Sequence, residues 1–255
     1  MAKYLKLFET EGEYDSFAES DEFILPNVSF IERSVTIVFN LSSNHDPYNG
    51  HEYVDLGLPS GLKWAKCNIG AEKESDYGLY FQWGDIVGYS SSQVGYVGDG
   101  EGKKYFGWSD YKYCNGSSKT LTKYNSKSSY GIVDNLTTLE PSDDAASVIM
   151  GGSWRMPSNE EYNELLNNTT NTWTIVNGVN GWLFTGNNGS NLFLPAAGEC
   201  YNSSVNGVGF SGNYWSSSLN DSLASYADIL SFTSNYCGPN LTSRYRGLTV
   251  RGVMD

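Results

Sequence analysis

The sequence predicts an α+β fold dominated by antiparallel strands, and three observations carry that expectation. Hydrophobic residues make up 39% and aromatics 15% of the 255 residues, against 18% charged, which is enough apolar mass to close a core and excludes wholesale disorder. The 28 glycines cut the chain into short segments. Only two stretches of the larger domain carry helix signals, while every apolar run after Asn168 alternates or stands between turn formers.

Residues 1–40 read as a small N-terminal αβ module. Tyr4 to Phe8 alternates like a strand, Thr10 and Glu13 form a capping box for a short helix ending near Ser20, and Ile24 to Phe30 with Ser34 to Asn40 read as a hairpin. About 40 residues bury too little surface for robust independent stability, so the module is expected to pack on the larger domain or on a partner chain. Residues 41–51 are turn formers without periodicity and read as a linker.

The larger domain covers residues 52–255. Its first helix is expected to begin at Pro141, run through Asp143-Asp144-Ala145-Ala146-Ser147-Val148-Ile149 and stop at Gly151-Gly152, with the acidic pair suiting the helix dipole. The second opens on the capping box Ser158-Asn159-Glu160-Glu161 and places Tyr162, Leu165 and Leu166 on one face. Strands follow at Gly181 to Thr185, Asn191 to Pro195, Asn213 to Ser217, Tyr226 to Phe232 and Gly247 to Val253.

Charge removes several partners. A formal net charge of −13 repels phosphate backbones, and the longest basic run is the pair Lys103-Lys104, so nucleic acid and anionic membrane are poor ligands. The start lacks the apolar run of a signal peptide, and no stretch approaches the ~18 apolar residues of a spanning helix. The expectation is a protein made soluble in the cytoplasm, without membrane insertion. Cys67, Cys114, Cys200 and Cys237 lack metal-site spacing and are expected as free thiols, with a Cys200–Cys237 bridge as the exception to watch.

Five blocks carry a family resemblance. They are Glu52-Tyr53-Val54-Asp55-Leu56-Gly57-Leu58-Pro59-Ser60-Gly61-Leu62-Lys63-Trp64-Ala65, Tyr77-Gly78-Leu79-Tyr80-Phe81-Gln82-Trp83-Gly84, Trp154-Arg155-Met156-Pro157, Asn191-Leu192-Phe193-Leu194-Pro195-Ala196-Ala197-Gly198, and Tyr214-Trp215-Ser216-Ser217-Ser218 with Gly247-Leu248-Thr249-Val250-Arg251. In this order they resemble the Fibrobacter succinogenes major paralogous domain over residues 52–253. The resemblance implies a C-type-lectin-like fold, with two helices flanking twisted antiparallel sheets and long irregular loops. Some members of that family are variable proteins of diversity-generating retroelements. Gly252 departs from the Pro usual after the Arg, which implies a looser last strand. Residues 1–40 resemble, more weakly, a leader module of phage-borne proteins in gut bacteria.

The retroelement reading makes a compositional demand. Adenine randomisation of Asn codons never yields Lys, Glu, Gln, Met or Trp. Residues 1–199 hold 11 Lys, 15 Glu, 2 Gln and 3 Met, so about eight are expected in the 54 residues from Cys200 to Val253 on composition alone. That window holds none, and its single Trp, Trp215, lies in a framework block. A Ser/Asn/Gly-rich β surface poor in long charged side chains is the plainer reading. A mutable binding face needs outward side chains on a backbone held by buried ones. Trp215, Leu230, Phe232 and Val250 are expected to be that framework. Asp228, Ile229, Ser231, Thr233, Tyr236, Gly238, Asn240, Leu241, Thr242, Ser243 and Arg246 are the candidate contacts, with Tyr236 and Arg246 as anchors. The alternation leaves open whether Asp228 or Ile229 points inward.

The expected function is non-enzymatic binding of a macromolecular ligand on a host or cell surface, by a phage- or prophage-encoded variable protein assembled into a particle. A fixed-ligand adhesive or structural domain is the alternative, and a formylglycine-generating-type enzyme using Cys200 or Cys237 is a third. No Gly-x-Ser-x-Gly turn, Walker loop or His-Glu-x-x-His helix is present, and His45 and His51 lie in or beside the linker. Gly98-Asp99-Gly100-Glu101-Gly102 lacks calcium-loop spacing, and Gly238-Pro239-Asn240 lacks the carboxylate of a sugar-binding calcium site. No metal or cofactor is therefore expected. A homo-oligomer, assembled through residues 1–40, is the remaining partner expectation.

Overall fold

The structure, a computed structural model, describes residues 48–96 and 102–255. The expected N-terminal module, His45 and most of the linker and of the Gly98 loop lie outside the described residues. Within them the chain is mixed, mostly sheet, with two helices, so the α+β expectation holds at that level.

Strands β1 (Tyr53–Asp55) and β2 (Lys63–Ala65) form a sheet with β11 (Val253–Met254), in the order β1-β2-β11. The last strand thus pairs with one of the first described, with Val253 opposite Trp64 and both fully buried. Of the strand expected over Gly247 to Val253, Gly247, Leu248 and Thr249 make only isolated bridges, and β11 is preceded directly by Gly252. Its carbonyl accepts from the Ala65 N–H at 2.8 Å, Val253 is bridged to Arg155, and a Cβ at 252 would lie 2.7 Å from the Met150 sulfur.

Residues 66–144 contain no strand longer than an isolated bridge and three single-turn 3₁₀ segments among the described residues. Helix α1 (Ala145–Ile149) is shorter than expected: Asp144 is its cap, accepting from the N–H groups of Ala146 and Ser147, and Pro141 to Asp143 form a turn before it. The Asp144 cap wins because its second oxygen is also held, by the Met156 N–H at 2.8 Å. Helix α2 (Asn159–Asn168) has the expected capping box, with Ser158 accepting from the Glu161 N–H, and buries Tyr162 and Leu165.

Strand β3 (Thr169–Val176) follows α2 directly and pairs with β4 (Val179–Gly186), which pairs with β5 (Asn191–Pro195). The turn between β3 and β4 is Asn177-Gly178, at φ +52° and +81°, the two left-handed positions of a type I′ turn that only Asn, Asp or Gly adopts at low cost. A short hairpin of β6 (Glu199–Tyr201) and β7 (Ser204–Asn206) comes next. The last sheet, ordered β10-β9-β8, is built from β8 (Ser211–Leu219), β9 (Tyr226–Thr233) and β10 (Tyr236–Ser243).

This sheet is covered on both faces. Ile229, Ala227 and Trp215 join a cluster with Trp83, Tyr124 and Val250, while Leu230, Phe232 and Tyr214 join another with Tyr162, Leu165, Phe184 and Trp64. Burial of Leu230 and Phe232 stabilises by about 1.5–3 kcal/mol each, and double coverage explains the absence of clean alternation along β9. The four expected framework residues, Trp215, Leu230, Phe232 and Val250, are all fully buried.

A candidate ligand-binding surface

The register of β9 and β10 sorts the candidate contacts. Side chains of directly opposed residues share a face. Tyr236, Gly238, Asn240 and Thr242 stand opposite Thr233, Ser231, Ile229 and Ala227, whereas Leu241 and Ser243 stand opposite Asp228 and Tyr226. The set is therefore split between two faces of one sheet.

Two members, Ile229 and Gly238, are buried and not available as contacts. Ile229 is 3% exposed and belongs to the core beside Trp215, so of the open pair it is Ile229 that points inward. Gly238 is buried beneath the Tyr236 ring, whose hydroxyl lies 2.8 Å from where a Cβ would stand. Asp228 is half-buried and accepts from the Asn220 amide at 2.8 Å. Burial raises its pKa, the Asn220 bond opposes that, and Asp221 and Glu160 add to the rise.

Others are outward but already engaged. The Ser231 hydroxyl donates to Asn213 on β8 at 2.9 Å, and the Thr233 carbonyl accepts from the Trp182 indole at 2.9 Å. Tyr236 is 48% exposed, yet its hydroxyl donates to the Pro239 carbonyl at 2.9 Å. The Leu241 N–H donates to the Asn240 side chain at 2.9 Å. Since Pro239 has no N–H, these contacts blunt the outer edge of β10. Thr233, Asn240 and Leu241 remain exposed, and Thr242 and Ser243 are half-buried.

The second anchor lies at the other end of β10. Arg246 is ion-paired with Glu199 and lies over the Tyr201 ring at 4.6 Å. Eight strand residues at about 3.3 Å each put it roughly 25 Å from Tyr236. Tyr201 is tilted against Tyr245 with centroids 6.2 Å apart, and Tyr245 packs edge-on against Trp108 at 4.9 Å. Tyr201 is 39% exposed, with Tyr245, Trp108 and Arg246 half-buried. The segment carrying Trp108 is tied to this end, because Phe106 bridges Asn202 and the Tyr105 hydroxyl donates to the Asn202 side chain at 2.9 Å. Burial raises the Glu199 pKa and Arg246 opposes the rise, while burial raises that of Tyr245. Trp108, Tyr201 and Tyr245 were not singled out from sequence, although Tyr201 lies in the window depleted of Lys and Glu.

Among the described residues two arginines, Arg244 and Arg251, are fully buried without a carboxylate partner. Arg244 donates to the Tyr111 hydroxyl at 2.8 Å and to the carbonyls of Lys123, Tyr124 and Ala224 at 3.0 Å, with its guanidinium 4.8 Å from the Trp83 ring centre. Arg251 donates to Asn68 and to the carbonyls of Ala65, Lys66 and Phe193 at 2.7–3.0 Å. A fixed fork of donors can satisfy several loop carbonyls at once, which is why Arg suits the role. Gln82, also buried, donates to the Tyr245 carbonyl at 2.9 Å.

The four cysteines are free; Cys200 packs with Tyr80 and Phe106, and Cys237 against the other cluster, where burial pushes its pKa up to about 12. A separate cleft of about 260 Å³ is lined by His51, Glu52, Lys66 and Cys67. There Lys66 is spent on Glu52 at 2.7 Å, no hydrogen bond joins His51 to Cys67, and burial raises the Cys67 pKa. Among the described residues no three His, Cys, Asp or Glu side chains gather to hold a metal, and no helix is long and apolar enough to cross a membrane. No family model, curated protein or solved structure matches the chain.

Proposed function

We propose that this chain binds a macromolecular ligand without catalysing a reaction, through the surface formed by Trp108, Tyr201, Tyr245 and Arg246 on a C-type-lectin-like domain. The observation that carries the reading is this partly exposed aromatic and guanidinium group, anchored by Arg244 two residues before Arg246. Aromatic rings give contact area at low entropic cost and Arg gives a rigid donor fork, the combination that dominates binding hot spots. The exposed tip of the β9–β10 hairpin is a separate, more polar region. Macromolecules of a host or cell surface, without a metal, are the proposed ligand class.

Labelled protein incubated with a panel of intact bacterial cells tests the reading. The Tyr201→Ala/Arg246→Ala double variant is expected to lose at least tenfold in binding, while Asn188→Ala, in an exposed turn of the β4–β5 hairpin, keeps it. Equal binding by all three proteins would remove this surface as the site.

Whether the surface is diversified or fixed is a separate matter. The absence of Lys, Glu, Gln and Met extends to residues 165–198, outside the expected variable window. That observation favours the fixed-ligand alternative, because the depletion follows the sheets rather than the window. Sequencing codons 200–253 across related isolates separates the two: substitutions at adenine positions of outward codons such as Tyr201, Asn240 and Arg246 support a retroelement variable protein, and evenly spread substitutions support a fixed-ligand domain.

A further inference from the structure

Two of the four outer strands of the sheets β10-β9-β8 and β3-β4-β5 are finished differently. On β10 the edge is closed by Pro239, by the Tyr236 hydroxyl on the Pro239 carbonyl and by Asn240 on the Leu241 N–H. Strand β3 is also an edge, in the order β3-β4-β5, and carries none of these devices. Its two-residue turn makes Val176 and Val179 the closing hydrogen-bonded pair, so the N–H and C=O groups of Asn171, Trp173 and Ile175 point away from β4. Apart from a 3.5 Å contact from the Thr172 hydroxyl to the Trp173 carbonyl, those groups have no hydrogen-bond partner among the described residues.

The chemistry around this edge is unusual for a chain of net charge −13. Residues 165–198 contain no Asp, Glu, Lys, Arg or His. The strand itself, Thr169-Thr170-Asn171-Thr172-Trp173-Thr174-Ile175-Val176, is rich in strong strand formers and has no proline. Ile175, 65% exposed and among the most exposed large hydrophobic side chains described, lies near its far end. Such an edge is a template for another strand.

We infer that β3 is the pairing edge of a two-fold dimer of this chain, in which β3 of one copy lies antiparallel to β3 of the other and joins two three-stranded sheets into one of six. A second copy is the occupant that the charges favour. Two chains of −13 repel across most of their surfaces, and β3 offers an approach on which neither presents a charge. Antiparallel self-pairing about a two-fold axis near Thr172 sets Thr, Asn, Trp and Ile opposite one another and brings no like charges together. Ile175 stands exposed on the pairing strand itself. This inference is independent of the proposed ligand-binding surface, whose residues lie on other segments.

Sedimentation of the full chain at concentrations up to about 1 mM, the range that reveals even weak association, is the test. The wild type is expected at twice 28.1 kDa. Two variants are expected to be monomers with unchanged circular dichroism. Ile175→Pro removes an outward N–H while leaving the ladder to β4 intact, and Thr172→Lys places two like charges across the axis. Hydrogen exchange gives a second reading that does not depend on the variants: the amides of Asn171, Trp173 and Ile175 should slow as concentration rises. A monomeric wild type, or an oligomer that both variants leave intact with those amides still in fast exchange, overturns the inference.

Discussion

The Tyr236 hydroxyl reaches back over Gly238 to donate to the Pro239 carbonyl at 2.9 Å, so ring and glycine form one unit. A side chain at 238 and loss of the hydroxyl at 236 remove the same hydrogen bond. Gly238→Ala and Tyr236→Phe should each cost about 0.5–1.5 kcal/mol, and the double variant no more than the larger of the two. Urea midpoints for the three proteins measure this; additive losses would show that the ring does not depend on Gly238.

Arg244 is expected to dominate the stability of the region. Replacing it with Met leaves the Tyr111 hydroxyl and the carbonyls of Lys123, Tyr124 and Ala224 without their donors, at a cost of about 3–5 kcal/mol. Lys, with a single ammonium in place of a planar fork, should not restore it. Arg246→Ala, by contrast, should change stability by less than about 1 kcal/mol, since its ion pair is partly exposed. Chemical denaturation of the two variants checks the contrast.

On β9 and β10 the opposed pair Ile229 and Asn240 should separate core from surface. Ile229→Ala is expected to cost about 2–5 kcal/mol, and Asn240→Ala to stay within about 0.5 kcal/mol. Thermal unfolding of both variants is the measurement.

These cases mark what the sequence carried. The framework of Trp215, Leu230, Phe232 and Val250 was legible because bulky apolar residues in a strand bounded by turns have one stable destination. So was the Ser158 cap, whose chemistry is local. Ile229 was misplaced because a strand covered on both faces loses the alternation from which its orientation is read. The grouping of Trp108 with Tyr201 and Tyr245 was invisible, since it brings Trp108 to segments more than ninety residues further along the chain through loops without periodicity. Arg244 gave no signal either, because nothing local distinguishes a buried guanidinium satisfied by carbonyls from an exposed one.

Acid stability should report on Asp143. Burial alone would raise its pKa, but Lys123 at 2.6 Å, Tyr124 at 2.7 Å and Lys112 at 3.1 Å bind the ionised form and hold it well below the usual carboxylate range. A depressed folded-state pKa contributes stability above the unfolded value of about 3.9, and this is lost as pH falls towards the folded value. Asp144, raised by its own burial, has the opposite sign and partly offsets the loss. Asp143→Asn should therefore be less stable than wild type at pH 7, with the difference shrinking below about pH 4. A gap independent of pH would show that the lysines hold the residue only loosely.

Arg244, Arg251 and β11 follow, in the order of synthesis, every segment whose carbonyls or strand edge they complete: residues 65, 66, 123, 124, 193 and 224, and Trp64 on β2. The nascent domain must therefore wait, with its long loops open, until residue 254 has emerged from the ribosome. A stop anywhere before that point removes the donors and the strand that complete the earlier segments, so a shortened chain is expected to leave those carbonyls and the β2 edge unsatisfied.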